Sequence, residues 1–374
     1  MGRSVDVVVI GAGIAGAAAA SALAGQRRVV LVERESLPAQ HASGRSASVL
    51  SETSGHPAVC ALARLSRPFF ETPPEGFVEH SLLSPRGLVW VGERGDEAQL
   101  DELAGRATHV APTARRLTPA DTATLLPGFA ATAIGGGAVH EPDAMSIDTA
   151  ALIAGYLRRL RAGGGEVATG AEALTLRRDG DAWEVETPAG RWRTAVVVNA
   201  AGAWADVVAE RAGLAPLGMR PLRRTAAITP APDTVATWPL VMDIAGRYYC
   251  EPEPGGLLIS PADESTSEPV DAQPDELDVA LALERVREAT GLPLRSVRRA
   301  WAGLRTFAPD RVPVLGEDPR AAGFFWLAGQ GGAGIKTAPA MAALLAVAID
   351  GGRTPGDAQA LGVTLEGLSA QRLL

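Results

Sequence analysis

Apolar positions along the chain follow two periods, and the first 35 residues show both. Residues 5–10 (VDVVVI) form a mostly β-branched run broken only by Asp6, as expected of a strand buried on both faces of a parallel sheet. Residues 14–24 are alanine-rich and helical, and residues 28–32 form a second apolar strand that ends at Glu33. Together they predict a β-α-β unit. Farther on, residues 57–70 and 148–160 carry apolar side chains at helical spacing, with Asp148 placed as an N-cap. Residues 88–91 read as a short strand. Residues 166–168, 173–177, 183–186 and 192–198 alternate with period two, and Gly180 and Gly190 mark turns between them. Residues 196–199 followed by AAGAW predict another parallel strand entering a helix. The stretch 223–261 is strand-rich, 275–289 helical, 324–328 a strand and 338–349 a closing helix; from Gly351 the chain has loop character with a weak helix near its end. There is no repeat and no low-complexity linker. Strands scattered in this way predict one domain with a second interleaved in it.

Composition narrows the class. The 374 residues are 47% hydrophobic and 21% charged, the balance of a folded globular protein with room for two domains. A net charge of −8 argues against nucleic acid as the main partner. Two cysteines, Cys60 and Cys250, make no disulfide framework, and no apolar run reaches the ~18 residues of a membrane span, so a reducing, cytoplasmic setting is expected. The five histidines lack metal-ligand spacing. Of the 35 basic residues all but one are arginine; the exception, Lys336, lies in the glycine-rich run GQGGAGIKT.

The first candidate chemistry is GAGIAG, which opens the helix directly after the first strand. Gly11 permits the tight turn, Gly13 lets the backbone approach a pyrophosphate, and Gly16 lets helix and strand pack closely. Glu33, at the end of the second strand, is placed to accept the ribose hydroxyls of an adenosine. An adenine dinucleotide is therefore expected. FAD is favoured over NAD on two grounds. Arg45 lies among small residues at the start of an apparent helix, suited to a second approach to diphosphate or flavin, and GQGGAGIKT supplies a further helix N-terminus between a strand and a helix.

VIGAGIAGA, HASGRSA, FVEHSLLSPR, VVNAAGAWAD, PLGMRPLRR, WAGLRTF and FFWLAGQGGAGIKT, spread over nearly the whole chain, resemble the D-amino-acid oxidase family of flavoproteins. Within that family the likeness leans towards bacterial D-arginine dehydrogenase. The resemblance implies an α/β, two-domain fold: a Rossmann-like FAD-binding domain (residues 1–85, 145–215 and 300–374) and an interleaved, largely antiparallel substrate domain (residues 86–144 and 216–299). It implies flavin contacts at Ile14, Glu33, Arg34, Ala42, Ser43, Gly44, Arg45, Ser46, Ala47, Ser48, Val49, Ala173, Gly331, Gly332, Ala333, Gly334, Ile335 and Lys336, with FAD held non-covalently. It also implies that Arg224, Tyr249 and Arg305 hold a substrate carboxylate, with Gly332 beside them.

The residues themselves allow these roles. A bidentate guanidinium suits a carboxylate, and a charged residue in the apolar run WAGLRTF needs a reason, either a ligand or a structural ion pair. Arg223 competes with Arg224 for the inward position. Tyr248 and Tyr249 should point to opposite faces. Departures from the arginine-specific relative bear on the substrate. Leu88 stands where that enzyme has an acid for the substrate guanidinium, Val49 replaces a site histidine, and Ser54 replaces a lid tyrosine. Glu52 could restore a cation site from another angle, and Lys336 matches a lysine that sarcosine oxidases place near flavin and carboxylate. The expected activity is oxidative deamination of D-amino acids to 2-oxo acids and ammonia by hydride transfer from Cα to the flavin, neutral or apolar substrates being preferred over cationic ones. The alternative is oxidation of glycine, sarcosine or another N-substituted amino acid. The electron acceptor, quinone-type or oxygen, stays open.

Overall fold

The computed structural model describes residues 3–374. Its first layer is a six-stranded sheet in the order Glu166–Ala168, Val29–Val32, Val7–Ile10, Val196–Asn199, Phe324–Ala328, Val314–Glu317. Every neighbouring pair is parallel except the last. Val7–Ile10, Val29–Val32 and Phe324–Ala328 are buried at every position, which explains their unbroken apolar runs: both faces are covered. Helices Ile14–Leu23, Thr149–Ala162 and Gly334–Ile349 pack on one face. A small antiparallel sheet (Thr175–Asp179, Ala182–Thr187, Gly190–Thr194) and helix Ala205–Arg211 cover the other. Asp148 caps its helix as expected, its side chain accepting from the Ala151 N–H.

The second layer is a ten-stranded, mostly antiparallel sheet whose central run is Arg299–Phe307, Arg220–Thr229, Gly256–Ser260, Tyr249–Glu253, Leu240–Asp243, Leu88–Gly92 and Gly137–Glu141. Helix Glu276–Thr290 packs on one face over Ala227, Val241, Cys250 and Ile259. On the opposite face Leu88, Leu240, Leu258 and Tyr249 pack together, and Leu88, Leu240 and Tyr249 line a cavity.

Three local expectations change. The apparent helix at Arg45 is a four-residue 3-10 turn, Ala42–Arg45, and the chain then extends into strand Val49–Leu50, paired with Met145–Ile147. The closing helix begins at Gly334, so Pro339 lies inside it. Beyond Gly351 there are two short helices, Gly356–Ala360 and Leu365–Leu368, and a final 3-10 turn. Arg299–Phe307 is hydrogen-bonded into the second sheet, although the sequence division at residue 300 would place most of it with the dinucleotide-binding part.

Candidate active site

The groove at the C-terminal ends of the parallel strands is shaped by its glycines. Gly11 has φ +100°, and a Cβ there would meet the Ala200 carbonyl oxygen at 2.7 Å; a Cβ on Gly16 would fall 1.8 Å from the Gly11 carbonyl oxygen. These are the tight turn and the close helix–strand approach that the spacing predicts. Gly13 and Ile14 line the groove, and the Ile14 N–H donates to Ser43 Oγ at 2.9 Å. Glu33 is buried at the groove's edge. Its Oε2 accepts from the Ala12 N–H at 2.6 Å and its Oε1 from the Glu35 N–H at 2.9 Å, which fixes the carboxylate where a ribose would meet it. Arg34 lies 4.8 Å over the Trp204 ring, and His41 packs 4.7 Å from that ring on the same wall.

Ala42, Ser43, Arg45, Ser46, Ala47, Ala173, Gly331, Gly332, Gly334 and Ile335 also line this groove. Ser48, Val49, Ala333 and Lys336 face the adjoining cavity instead. Gly16 and Gly44 touch neither and are packing positions; a Cβ on Gly44 would lie 2.2 Å from the Ala39 carbonyl oxygen. Arg45 is already committed to the protein: it donates to the carbonyls of Gln40, Ala272 and Ala302 and pairs with Asp271. Its guanidinium therefore pins the groove wall. A long groove with an acid at one end, glycine-cleared backbone along it and cations at the other end fits a flavin dinucleotide. Neither cysteine lines it.

Groove and cavity meet at Arg224, Tyr249, Arg305 and Gly332, which line both. The cavity has a volume of ≈ 620 Å³. Arg224 is the inward arginine of its pair: Nε donates to the Asp263 carbonyl at 2.7 Å, and its guanidinium carbon lies 5.9 Å from the Tyr249 ring centroid. Arg223 turns the other way, to Asp278 at 2.9 Å. Tyr249 packs with Leu88 and Leu240 on the cavity side of the sheet, whereas Tyr248, which also borders the cavity, packs into the core on the opposite face, as alternation requires. Arg305 reaches under Gly332, where a Cβ would sit 2.9 Å from its guanidinium carbon. Among the described residues nothing hydrogen-bonds or ion-pairs with the Arg305 guanidinium. Burial and the neighbouring Arg224 draw it down to about 10. Two guanidiniums near each other, one of them unpartnered, have the charge and the free donors that a carboxylate would take up.

Leu88 and Val49 line the cavity, as does Ser54, but Ser54 is wall and no lid. Lys336, 5% exposed, donates from Nζ to the Ser51 carbonyl at 2.8 Å and to the Ser54 carbonyl and Oγ at 2.7 Å each, which excludes a surface position. On the other side of the same loop, buried Glu141 accepts from Ser51 Oγ, the Glu52 N–H and Thr53 Oγ1. Glu52 does not restore a cation site. It is buried against Arg67 at 2.6 Å, on the helix Pro57–Glu71 side. Glu251, which sequence reasoning passed over, lines the cavity. The available signal was its place two residues after Tyr249 on an alternating strand. No cluster of potential metal ligands occurs among the described residues.

Residues 6–348 match the DAO family, described as FAD dependent oxidoreductase. The chain belongs to that family. It is thus an FAD-dependent oxidoreductase with the mixed α/β two-domain fold of DAO proteins. Among its relatives, glycine oxidase of Geobacillus kaustophilus (strain HTA426) is 26% identical over 363 residues, 94% of each chain. The tRNA 5-methylaminomethyl-2-thiouridine biosynthesis bifunctional protein MnmC of Burkholderia vietnamiensis (strain G4 / LMG 22486) is 30% identical over 394 residues; the match covers 94% of this chain but only 57% of that protein. Among solved structures, the G. kaustophilus glycine oxidase superposes with a TM-score of 0.81 at 23% identity, over 97% of this chain and 99% of its own. L-proline dehydrogenase from P. horikoshii superposes with a TM-score of 0.86 at 19% identity, over 100% and 98%. The finer likeness to D-arginine dehydrogenase gives way to glycine oxidases and MnmC, in keeping with Leu88, which cannot pair with a guanidinium. No helix is long and apolar enough to cross a membrane.

Proposed function

We propose that this DAO-family protein oxidises the amine of glycine, sarcosine or another N-substituted amino acid. The observation that carries this reading is the unpartnered Arg305 guanidinium facing Arg224 and Tyr249 where the dinucleotide groove opens into the cavity. Similarity to glycine oxidases favours a small or N-substituted substrate over the D-amino acids first expected. Arg305 and Arg224 bind the carboxylate, and the Tyr249 hydroxyl donates to one of its oxygens. The same two cations, beside an apolar wall of Leu88, Leu240 and Met242, disfavour an ammonium and leave the substrate nitrogen with its lone pair free. That wall also excludes water from the reacting carbon. Bound FAD supplies the two-electron acceptor for the Cα–H bond, and the resulting imine hydrolyses to an oxo acid and the free amine.

The apolar wall supports a second reading, deamination of D-amino acids with neutral side chains. Anaerobic flavin bleaching by glycine, sarcosine, N-ethylglycine, D-alanine, D-leucine and D-methionine separates the two. Faster bleaching by the N-substituted glycines or glycine is expected. Faster bleaching by D-leucine or D-methionine would move the assignment to D-amino acids, and no bleaching by any of the six would remove both.

A further inference from the structure

The cavity wall carries a charged group that carboxylate binding leaves unused. Tyr249–Glu253 is a strand, so Tyr249 and Glu251 project from the same face. Glu251 is 3% exposed and lines the cavity with Tyr249, Leu240 and Leu88. Continuing the antiparallel register Met242↔Tyr249, Val241↔Cys250 places Glu251 opposite Leu240, and Leu240 in turn pairs with Leu88. Leu88, Leu240 and Glu251 therefore form one row across three adjacent strands. The carboxylate missing at Leu88 is present two strands away.

Glu251 is also underused by the protein. Among the described residues none donates a hydrogen bond to it. The nearest cation is Arg86, with Nε at 3.6 Å, but Arg86 donates to Ser146 Oγ at 2.8 Å and to the Pro252 carbonyl at 3.1 Å. Glu141, equally buried, accepts from three donors of the 51–53 loop. A buried carboxylate without donors is costly unless something else brings them. Burial pushes Glu251 up to about 7, with Arg86 opposing and Glu253 adding to the rise.

We propose that Glu251 receives a cationic nitrogen at the far end of the substrate. The substrate class is then an amino acid or N-substituted glycine with a basic arm, its methylenes lying along Leu88 and Leu240. This rests on the amino-acid reading above, in which the arginines take the carboxylate. It reverses the expectation, drawn from Leu88 alone, that cationic substrates are disfavoured.

The test uses the FAD holoenzyme and ligands without an α-amine: 4-aminobutanoate, 5-aminopentanoate and 6-aminohexanoate against butanoate, pentanoate and hexanoate. Binding is read from perturbation of the flavin absorption bands. In the unmodified protein at least one ω-amino acid should bind about tenfold more tightly than its unsubstituted partner, the worth of one charge-assisted hydrogen bond. Glu251→Gln should bring that ratio close to one. Equal binding of each pair by the unmodified protein overturns the proposal without recourse to a variant, and so does a preference that survives in Glu251→Gln. Because the readout is binding, failure of glycine and sarcosine to bleach the flavin would remove the oxidation reading and leave this test standing.

Discussion

Glu251 and Glu141 are both buried glutamates of one sheet, with the strands Leu240–Asp243 and Leu88–Gly92 between them, and their surroundings separate them. Glu141 is satisfied by three donors, whereas Glu251 faces Arg86 without a hydrogen bond and is pushed up to about 7. Its folded form thus holds a proton more tightly than the unfolded chain does. Between the ordinary glutamate range and pH 7 the unfolded chain ionises first, so stability falls as pH rises through that window. Replacing Glu251 by Gln removes this loss. Relative to the unmodified protein, Glu251→Gln should gain up to about 3 kcal/mol of stability on going from pH 4.5 to pH 8. Denaturant unfolding at the two pH values measures it, and a difference between the two proteins that stays constant would show that Glu251 finds a donor in solution.

At the level of elements, the site is held by two short pieces of backbone. The Gly331–Gly334 run brings the main chain against the Arg305 guanidinium, and any side chain at 332 would collide with it. Gly332→Ala should displace Arg305 while leaving the Gly11–Gly16 turn intact. The expected outcome is retained flavin with a KM for glycine or sarcosine raised on the order of tenfold to a hundredfold. Loss of flavin with no change in KM would place residue 332 at the cofactor alone. The first β-α-β unit was legible because local pattern decides it: strand periodicity, glycine spacing and the acid at Glu33 all lie within 35 residues. So were the opposite faces of Tyr248 and Tyr249, which alternation alone requires. Which of Arg223 and Arg224 points inward was not legible, because it depends on Asp278 and Asp263 from distant segments. The helix expected at Arg45 failed for a similar reason: residues 49–50 are claimed by a strand nearly 100 residues away. Glu251 was invisible because its meaning comes from the cavity it borders.

Taken whole, the molecule interleaves two sheets so that neither builds the site alone. Arg305 and Arg224 come from the antiparallel sheet, the glycine turn from the parallel one, and Lys336 from the helix that closes the chain onto both. That lysine is the one side-chain amine in the whole sequence, and it is buried with its three donors engaged by Ser51 and Ser54. Burial also lowers its affinity for a proton, so what shields it from acylating reagents is access more than charge. The folded surface accordingly offers such reagents no lysine. Acylation at Lys336, followed by peptide mapping, should run at least about a hundredfold slower in the holoprotein than in urea, because it must wait for the 51–54 loop to open; equal rates would mean that the loop stands open. The chain therefore carries a single-site chemical clock for motions of its own active-site wall.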